Sequence, residues 1–226
     1  MRQRLMAEKV LLSWSGGKDS ALTLYEIQKN RDWQIAGLLT TVTEGYDRIS
    51  MHGVRRILLE RQAQSIGLPL QKLFISNNAT NEEYETKMRD ALMELKGYGL
   101  SSVAFGDIFL QDVRKYREDN LARLGMKGIF PLWEIDTSEL AKIFIRLGFK
   151  AVVTCVDSKV LDQSFASRII DEQFLAELPP GVDPCGENGE FHSFVFDGPI
   201  FEEPISFTIG EVVLRDSFCY CDLLPG

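Results

Sequence analysis

A chain of 226 residues suits one large domain or two small ones, and its 45% hydrophobic and 26% charged content is ordinary for a globular protein. The formal net charge of −8 argues against a general nucleic-acid binder, which carries a basic face. No apolar run approaches the roughly 20 residues of a membrane span, and the charged first ten residues hold no apolar stretch of signal-peptide length, so the chain is read as cytoplasmic.

The first predicted element is a strand over residues 9–14, and Ser15-Gly16-Gly17-Lys18-Asp19-Ser20 follows it. A helical pattern over 19–29 comes next, with Ala21, Leu22, Leu24, Tyr25 and Ile27 as apolar positions. Strand, glycine-rich turn and helix in that order aim backbone N–H groups and a positive helix end at an anion. Adjacent glycines let the main chain approach a phosphate with no Cβ in the way. Lys18 adds a mobile positive charge, and Ser13, Ser15 and Ser20 add short hydroxyl donors. The spacing is not that of a Walker A loop, which puts four residues between its first glycine and the Gly-Lys pair. The bland alternative is a βα turn without a ligand; strand context, glycines, lysine and hydroxyls together argue against it.

Further strands are expected over 34–41, 70–75 and 102–105, and helices over 53–66, 81–95 and 111–124. Thr80, with Glu83 three residues on, signals a capping box. Strands alternating with helices imply βαβ units and a parallel sheet with right-handed crossovers. In such α/β sheets ligands bind beyond the carboxyl ends of the strands. That rule selects the glycine-rich turn, Leu39-Thr40-Thr41 and Gly106-Asp107 as the lining of one crevice. Asp107 there suits Mg²⁺, a ribose or a substrate amine, or else a turn whose N–H groups it satisfies. Met51-His52-Gly53 lies just before the second helix, where it either approaches an adenosine or makes a plain surface turn. Residues 110–118 read as a charged helix start, mostly solvated, from which Arg114 or Arg117 reaches a phosphate if the helix begins near the crevice.

Gly125-Met126-Lys127-Gly128 reads as a helix stop and a domain boundary, dividing 1–126 from 127–226. A strand over 129–131, a helix over 138–147 capped by Asp136, a strand over 150–156 and a helix over 167–177 follow. Turn formers then crowd residues 179–189, and strand-like segments flank Gly198-Pro199 and Gly210. Within Asp183-Pro184-Cys185-Gly186-Glu187-Asn188-Gly189-Glu190-Phe191-His192, two carboxylates stand three residues apart with a histidine two further on. Such a loop binds a cation or a cationic substrate, relays protons, or simply joins two elements. Cys219 and Cys221 alternate on a terminal strand but lack two further ligands at zinc spacing.

The hexapeptide Ser15–Ser20 resembles the PP-loop of the N-type ATP pyrophosphatases. Met51-His52-Gly53, Gly106-Asp107-Ile108, Arg123-Leu124-Gly125, Pro131-Leu132-Trp133, Cys185-Gly186-Glu187-Asn188-Gly189-Glu190-Phe191 and Asp197-Gly198-Pro199 add to it. Together they resemble the diphthine–ammonia ligase (diphthamide synthetase) family over nearly the whole chain. The resemblance implies an adenine nucleotide α-hydrolase-like, Rossmann-like parallel sheet with a smaller α+β carboxyl-terminal domain that closes over the substrate. It implies ATP and Mg²⁺ as cofactors and ATP cleaved between its α and β phosphates. The carboxylate of diphthine, a modified histidine on elongation factor 2, would be adenylated, and ammonia would displace AMP. No glutaminase domain fits in this length, so free ammonium is the nitrogen source. Ser13, Ser15, Gly16, Gly17, Lys18, Asp19 and Ser20 would then hold phosphates; Leu39, Thr40, Met51, His52 and Gly106 would contact the nucleotide. Lys18, Asp107, Glu187 and Glu190 are the expected catalytic residues, with Asp107 also the expected metal ligand. The expected partners are ATP, ammonium and elongation factor 2, with neither nucleic acid nor membrane, and the expected assembly is a homodimer. Two alternatives stand beside this reading: a nucleotide-binding sensor without turnover, and amidation of a small-metabolite carboxylate.

Overall fold

The computed structural model describes residues 7–49, 52–77 and 79–226; Met51 of the expected nucleotide contacts lies outside the described residues. The first part of the chain runs β1 (Glu8–Ser13), α1 (Lys18–Lys29), β2 (Trp33–Thr43), β3 (Arg48–Ile49), α2 (Arg56–Ile66), β4 (Leu70–Ile75), α3 (Asn81–Gly97), β5 (Ser102–Ala104), α4 (Gln111–Arg123) and β6 (Lys127–Ile129). β1 is the middle strand, parallel to β2 on one side and to β5 on the other. β4 extends the sheet from β2 and β6 from β5, both parallel, while β3 pairs antiparallel with the end of β2. β1 is central because both its faces are apolar: Val10 and Leu12 enter one buried cluster and Leu11 enters another.

The second part runs α5 (Thr137–Arg146), β7 (Lys150–Asp157), a 3₁₀ turn (Gln163–Phe165), α6 (Glu172–Glu177), β8 (Phe191–Asp197), β9 (Phe207–Arg215) and β10 (Phe218–Pro225). These strands form a separate antiparallel sheet in the order β8-β7-β10-β9. The expected α/β class, a parallel sheet with a smaller second sheet beside it, is borne out. The two sheets share one buried cluster, in which Val10 and Leu12 of β1 join Val152 of β7 and Phe194 of β8.

Local chemistry explains most boundaries. The Thr80 hydroxyl accepts from Glu83 N at 3.2 Å, but the Glu83 carboxylate turns to Ser76 Oγ at 3.1 Å, so only half of the capping box forms. Asp136 caps α5 as expected, accepting from Glu139 N at 3.0 Å. β6 begins two residues before the expected strand; it follows the expected division at 126/127 and still pairs with β5. The helix expected over 167–177 forms only from Glu172. Ser167 takes a left-handed φ of 68° and Ile169 bridges to Val152, so this stretch is tied to β7 instead of coiling. No helix among the described residues is long and apolar enough to cross a membrane.

Candidate active site

β1 ends at Ser13, and the chain turns through Ser15, Gly16 and Gly17 into α1. Gly16 has a φ of 77°, and a Cβ there would stand 2.6 Å from Gln62 Oε1, so the position is both left-handed and crowded. Gly17 is the N-cap of α1 and brings no side-chain cap; its own N–H donates to Ser15 Oγ at 3.2 Å. Ser15 and Ser20 bring their hydroxyls within 3.3 Å of each other beside it.

Lys18 departs from the expectation of a mobile charge. It is 3% exposed. Its ammonium donates to both Asp19 carboxylate oxygens at 2.8 Å and to the Cys185 carbonyl. Burial, the largest single influence, pulls its pKa down; the charge and hydrogen bond of Asp19, with Cys185 and Glu187, together outweigh it, and the net shift is upward.

The end of β5 supplies the next wall. A Cβ on Gly106 would come within 2.9 Å of the Asp19 backbone, so only glycine lets this strand end pack on the first turn of α1. Asp107 lines the cleft beside Arg117. Its two oxygens lie 2.8 and 3.2 Å from Arg117, whose guanidinium also stacks 4.4 Å from the Phe105 ring centre. Arg117 thus reaches the cleft, while Arg114 stacks on Phe130 and Trp133 away from it. Among the described residues no group of three or more His, Cys, Asp or Glu side chains is placed to hold a metal.

The segment from Asp183 to Ser193 forms the opposite wall, and it separates its two glutamates. Glu187 reaches into the cleft and accepts from Ile108 N at 2.7 Å. Burial, with Asp19 and Asp107 adding repulsion, pushes its carboxyl up to about 7. Glu190 is turned inward. One of its oxygens accepts from Asp183 N and Asn188 Nδ2 and the other from Asn188 N, all at 3.0 Å. Its expected catalytic place is therefore corrected: the carboxylate is spent holding its own loop and does not line the cleft.

His52 and His192, far apart in sequence, stack with ring centres 4.5 Å apart. Burial and the His192 ring push His52 down to about 3, and burial pushes His192 down to about 4, so both are neutral imidazoles at pH 7. Ser193 beside them accepts from Lys18 N at 3.2 Å through its hydroxyl. The polar cleft enclosed by these walls measures about 250 Å³. Next to it lies an apolar pocket lined by Leu39, Tyr84, Met88 and Leu92, and Ser13, Phe105 and Arg117 line both spaces. Thr40, one residue on, is buried on the other side of β2, its hydroxyl without a hydrogen-bond partner among the described residues.

Gln62 was not singled out from the sequence. It is fully buried: its Oε1 accepts from Trp14 Nε1 at 3.0 Å, and its amide donates to the carbonyls of Gly16 (3.0 Å) and Val195 (2.6 Å). Val195 N donates to the same Gly16 carbonyl at 2.9 Å. The signal was a polar residue inside the apolar stripe of α2, between Leu58, Leu59 and Ala63.

Fold and site together define a class: a Rossmann-like α/β protein with a glycine-rich turn at the carboxyl end of its middle strand and a second sheet across the cleft from it. Comparison with known proteins narrows it. Residues 8–128 match the diphthamide synthase N-terminal domain and residues 136–223 the diphthamide synthase C-terminal domain. The chain belongs to the diphthamide synthase family, as its motifs led us to expect. Among its relatives, the diphthine–ammonia ligase of Schizosaccharomyces pombe is 28% identical over 94% of this chain, which spans 38% of that longer protein. Those of Danio rerio and Homo sapiens are 27% and 24% identical, over 89% and 90% of this chain and 87% and 84% of their own lengths.

Proposed function

We propose that this chain is an ATP-dependent ligase that adenylates a carboxylate, releases pyrophosphate, and forms an amide with ammonia. The acceptor is the diphthine carboxylate of elongation factor 2; the names of the relatives carry diphthine and ammonia. One observation carries this reading. Ser13, Ser15, Gly17–Ser20, His52, Gly106-Asp107, Cys185–Glu187 and Phe191–Ser193 come from distant parts of the chain and line one cleft.

The proposed roles follow from the chemistry of each wall. First-turn N–H groups of α1, with the Ser15 and Ser20 hydroxyls, bind phosphate oxygens, and Lys18 offsets charge on the departing pyrophosphate. The apolar pocket beginning at Ser13 and Leu39 suits an adenine base, and its shared border with the cleft suits one nucleotide lying across both. Glu187, ionising near neutral pH, takes a proton as ammonium yields ammonia. The neutral His52 and His192 rings add no positive charge to repel that ammonium. Mg²⁺ bound with the nucleotide would offset phosphate charge, and Asp107, paired with Arg117 at the cleft wall, would be the carboxylate beside it. In this division nucleotide binding belongs to residues 1–126 and acceptor binding to 127–226, and the protein works as a homodimer.

The test is to incubate the protein with Mg-ATP, ammonium and candidate carboxylates, elongation factor 2 carrying diphthine among them, and to assay AMP and pyrophosphate. AMP that appears only with both acceptor and ammonium supports the reading. Tight ATP binding with no AMP under any acceptor replaces it with a sensor. AMP formed with a small carboxylate and not with the elongation factor keeps the chemistry and moves the acceptor.

A further inference from the structure

The carboxyl-terminal hairpin is protected on one strand and bare on the other. β10 alternates in the usual way, with Cys219, Cys221 and Leu223 buried. β9 lies at the edge of its sheet and pairs only with β10. From Glu211 to Arg215 every residue of β9 is exposed, on both faces. Val212 is 47%, Val213 39% and Leu214 59% exposed. A bare edge offers unpaired N–H and C=O groups, and proteins commonly guard such edges with lysine, proline or a bulge. β9 contains no lysine or proline, and its one irregularity falls at Gly210-Glu211, leaving Val212–Arg215 regular.

The run Glu211-Val212-Val213-Leu214-Arg215 is complementary to its own reverse: an acid, three apolar residues, a base. Among the described residues neither Glu211 nor Arg215 has an ion-pair partner, and Arg215 lies only loosely over Tyr46, 5.8 Å from its ring centre. If two copies of β9 run antiparallel about an axis through Val213, Val212 falls opposite Leu214 and Glu211 opposite Arg215, twice each. Shifting the axis by one residue breaks both charge pairs and matches Glu211 with Val213.

We propose that a second copy of this chain docks on β9 in that register, joining two four-stranded sheets into one of eight. A two-fold interface of this kind is self-complementary and closed, and strand addition supplies main-chain hydrogen bonds along the seam. The inference is independent of the ligase reading, because no residue of this hairpin lines the phosphate cleft.

Val213→Cys gives a direct test. Residues facing each other across such an axis have Cα atoms about 4.5–5.5 Å apart, within disulfide reach. All four native cysteines are buried and do not compete. Mild oxidation should link V213C into a covalent dimer, while T208C, exposed but off the axis, stays unlinked. Sedimentation should show a wild-type dimer, dissociation constants raised at least about 10-fold in E211R and in R215E, and recovery in the E211R/R215E double variant. A wild-type monomer at all concentrations overturns the proposal. So does a dimer that ignores both reversals while V213C fails to link.

Discussion

The two walls of the cleft are built on opposite plans. On the Ser15–Ser20 side the N-cap glycine brings no side chain, and Gly17 N and Lys18 N are held by the Ser15 and Ser193 hydroxyls. On the Asp183–Ser193 side the carboxylates are turned on their own loop: Asp183 accepts from Cys185 N and Glu187 N, and Glu190 from Asp183 and Asn188. The first wall thus spends part of its hydrogen-bonding capacity on the second, through Ser193. A wall that must hold a shape spends it internally. Only Glu187 on the second wall keeps a carboxylate in the cleft, so the number of acids in a loop does not give the number available for chemistry.

The severest way to break this contrast is to remove the lysine that joins the two walls. Lys18→Ala should lower AMP formation about 100- to 1,000-fold, and it also strips Asp19 of its counter-ion. The double variant Lys18→Ala/Asp19→Asn should regain thermal stability without regaining turnover. Turnover that returns together with stability would make Lys18 a loop holder only. Next in size, Gln62→Ala leaves the Trp14 indole and the Gly16 and Val195 carbonyls short of a partner. It should cost about 2–4 kcal/mol in urea denaturation; a loss below 0.5 kcal/mol on the order-of-magnitude scale for surface changes would remove the strut.

Glu187→Gln then sharpens the division within one loop. Amide formation should drop about 10- to 100-fold with ATP affinity unchanged. The wild-type rate should rise through pH 7 as the carboxylate forms, and that inflection should be missing in the variant. Equal pH profiles for the two proteins would acquit Glu187. The smallest effect expected concerns the histidine stack. His52 and His192 titrate near 3 and 4 in the fold, against about 6.5 in an unfolded chain. The unfolded state therefore takes up protons first: stability is complete above about pH 6.5 and declines as pH falls toward 4. His192→Asn should flatten this acid limb by on the order of 1–2 kcal/mol. Glu187 acts in the reverse sense, since its raised pKa gives stability at low pH that is lost as pH rises from about 4.5 to 7. Denaturation curves taken from pH 4 to 8 on the two variants separate the contributions.

Much of the molecule was legible in its amino acids. β4 spans the expected residues, α1 and α4 lie within one residue of expectation, and a simple rule about strand ends picked out Ser13 and Gly106-Asp107, which line the cleft, whereas Leu39 lines the adjoining pocket and Thr40 is buried elsewhere. That rule works because hydrophobic alternation and glycine placement are local properties. The pairing of side chains is not local. Nothing in Glu187-Asn188-Gly189-Glu190 tells which glutamate points out, because the answer depends on Ile108 N in another element. The His52–His192 stack likewise exists only once β8 lies against the turn before α2. The helix expected across Ser167–Asp171 failed for the same reason: a bridge to Val152 outweighed the local pattern.

Gly16 offers a single carbonyl to both Val195 and Gln62, and Lys18 N rests on Ser193. The glycine-rich turn is thus fastened from behind by a strand encoded 175 residues later. A shortened chain that stopped after the parallel sheet would keep every signature residue of that turn yet lose the buttress that fixes its curvature. Anyone dissecting this enzyme into halves should find the front piece soft where it most needs to be firm.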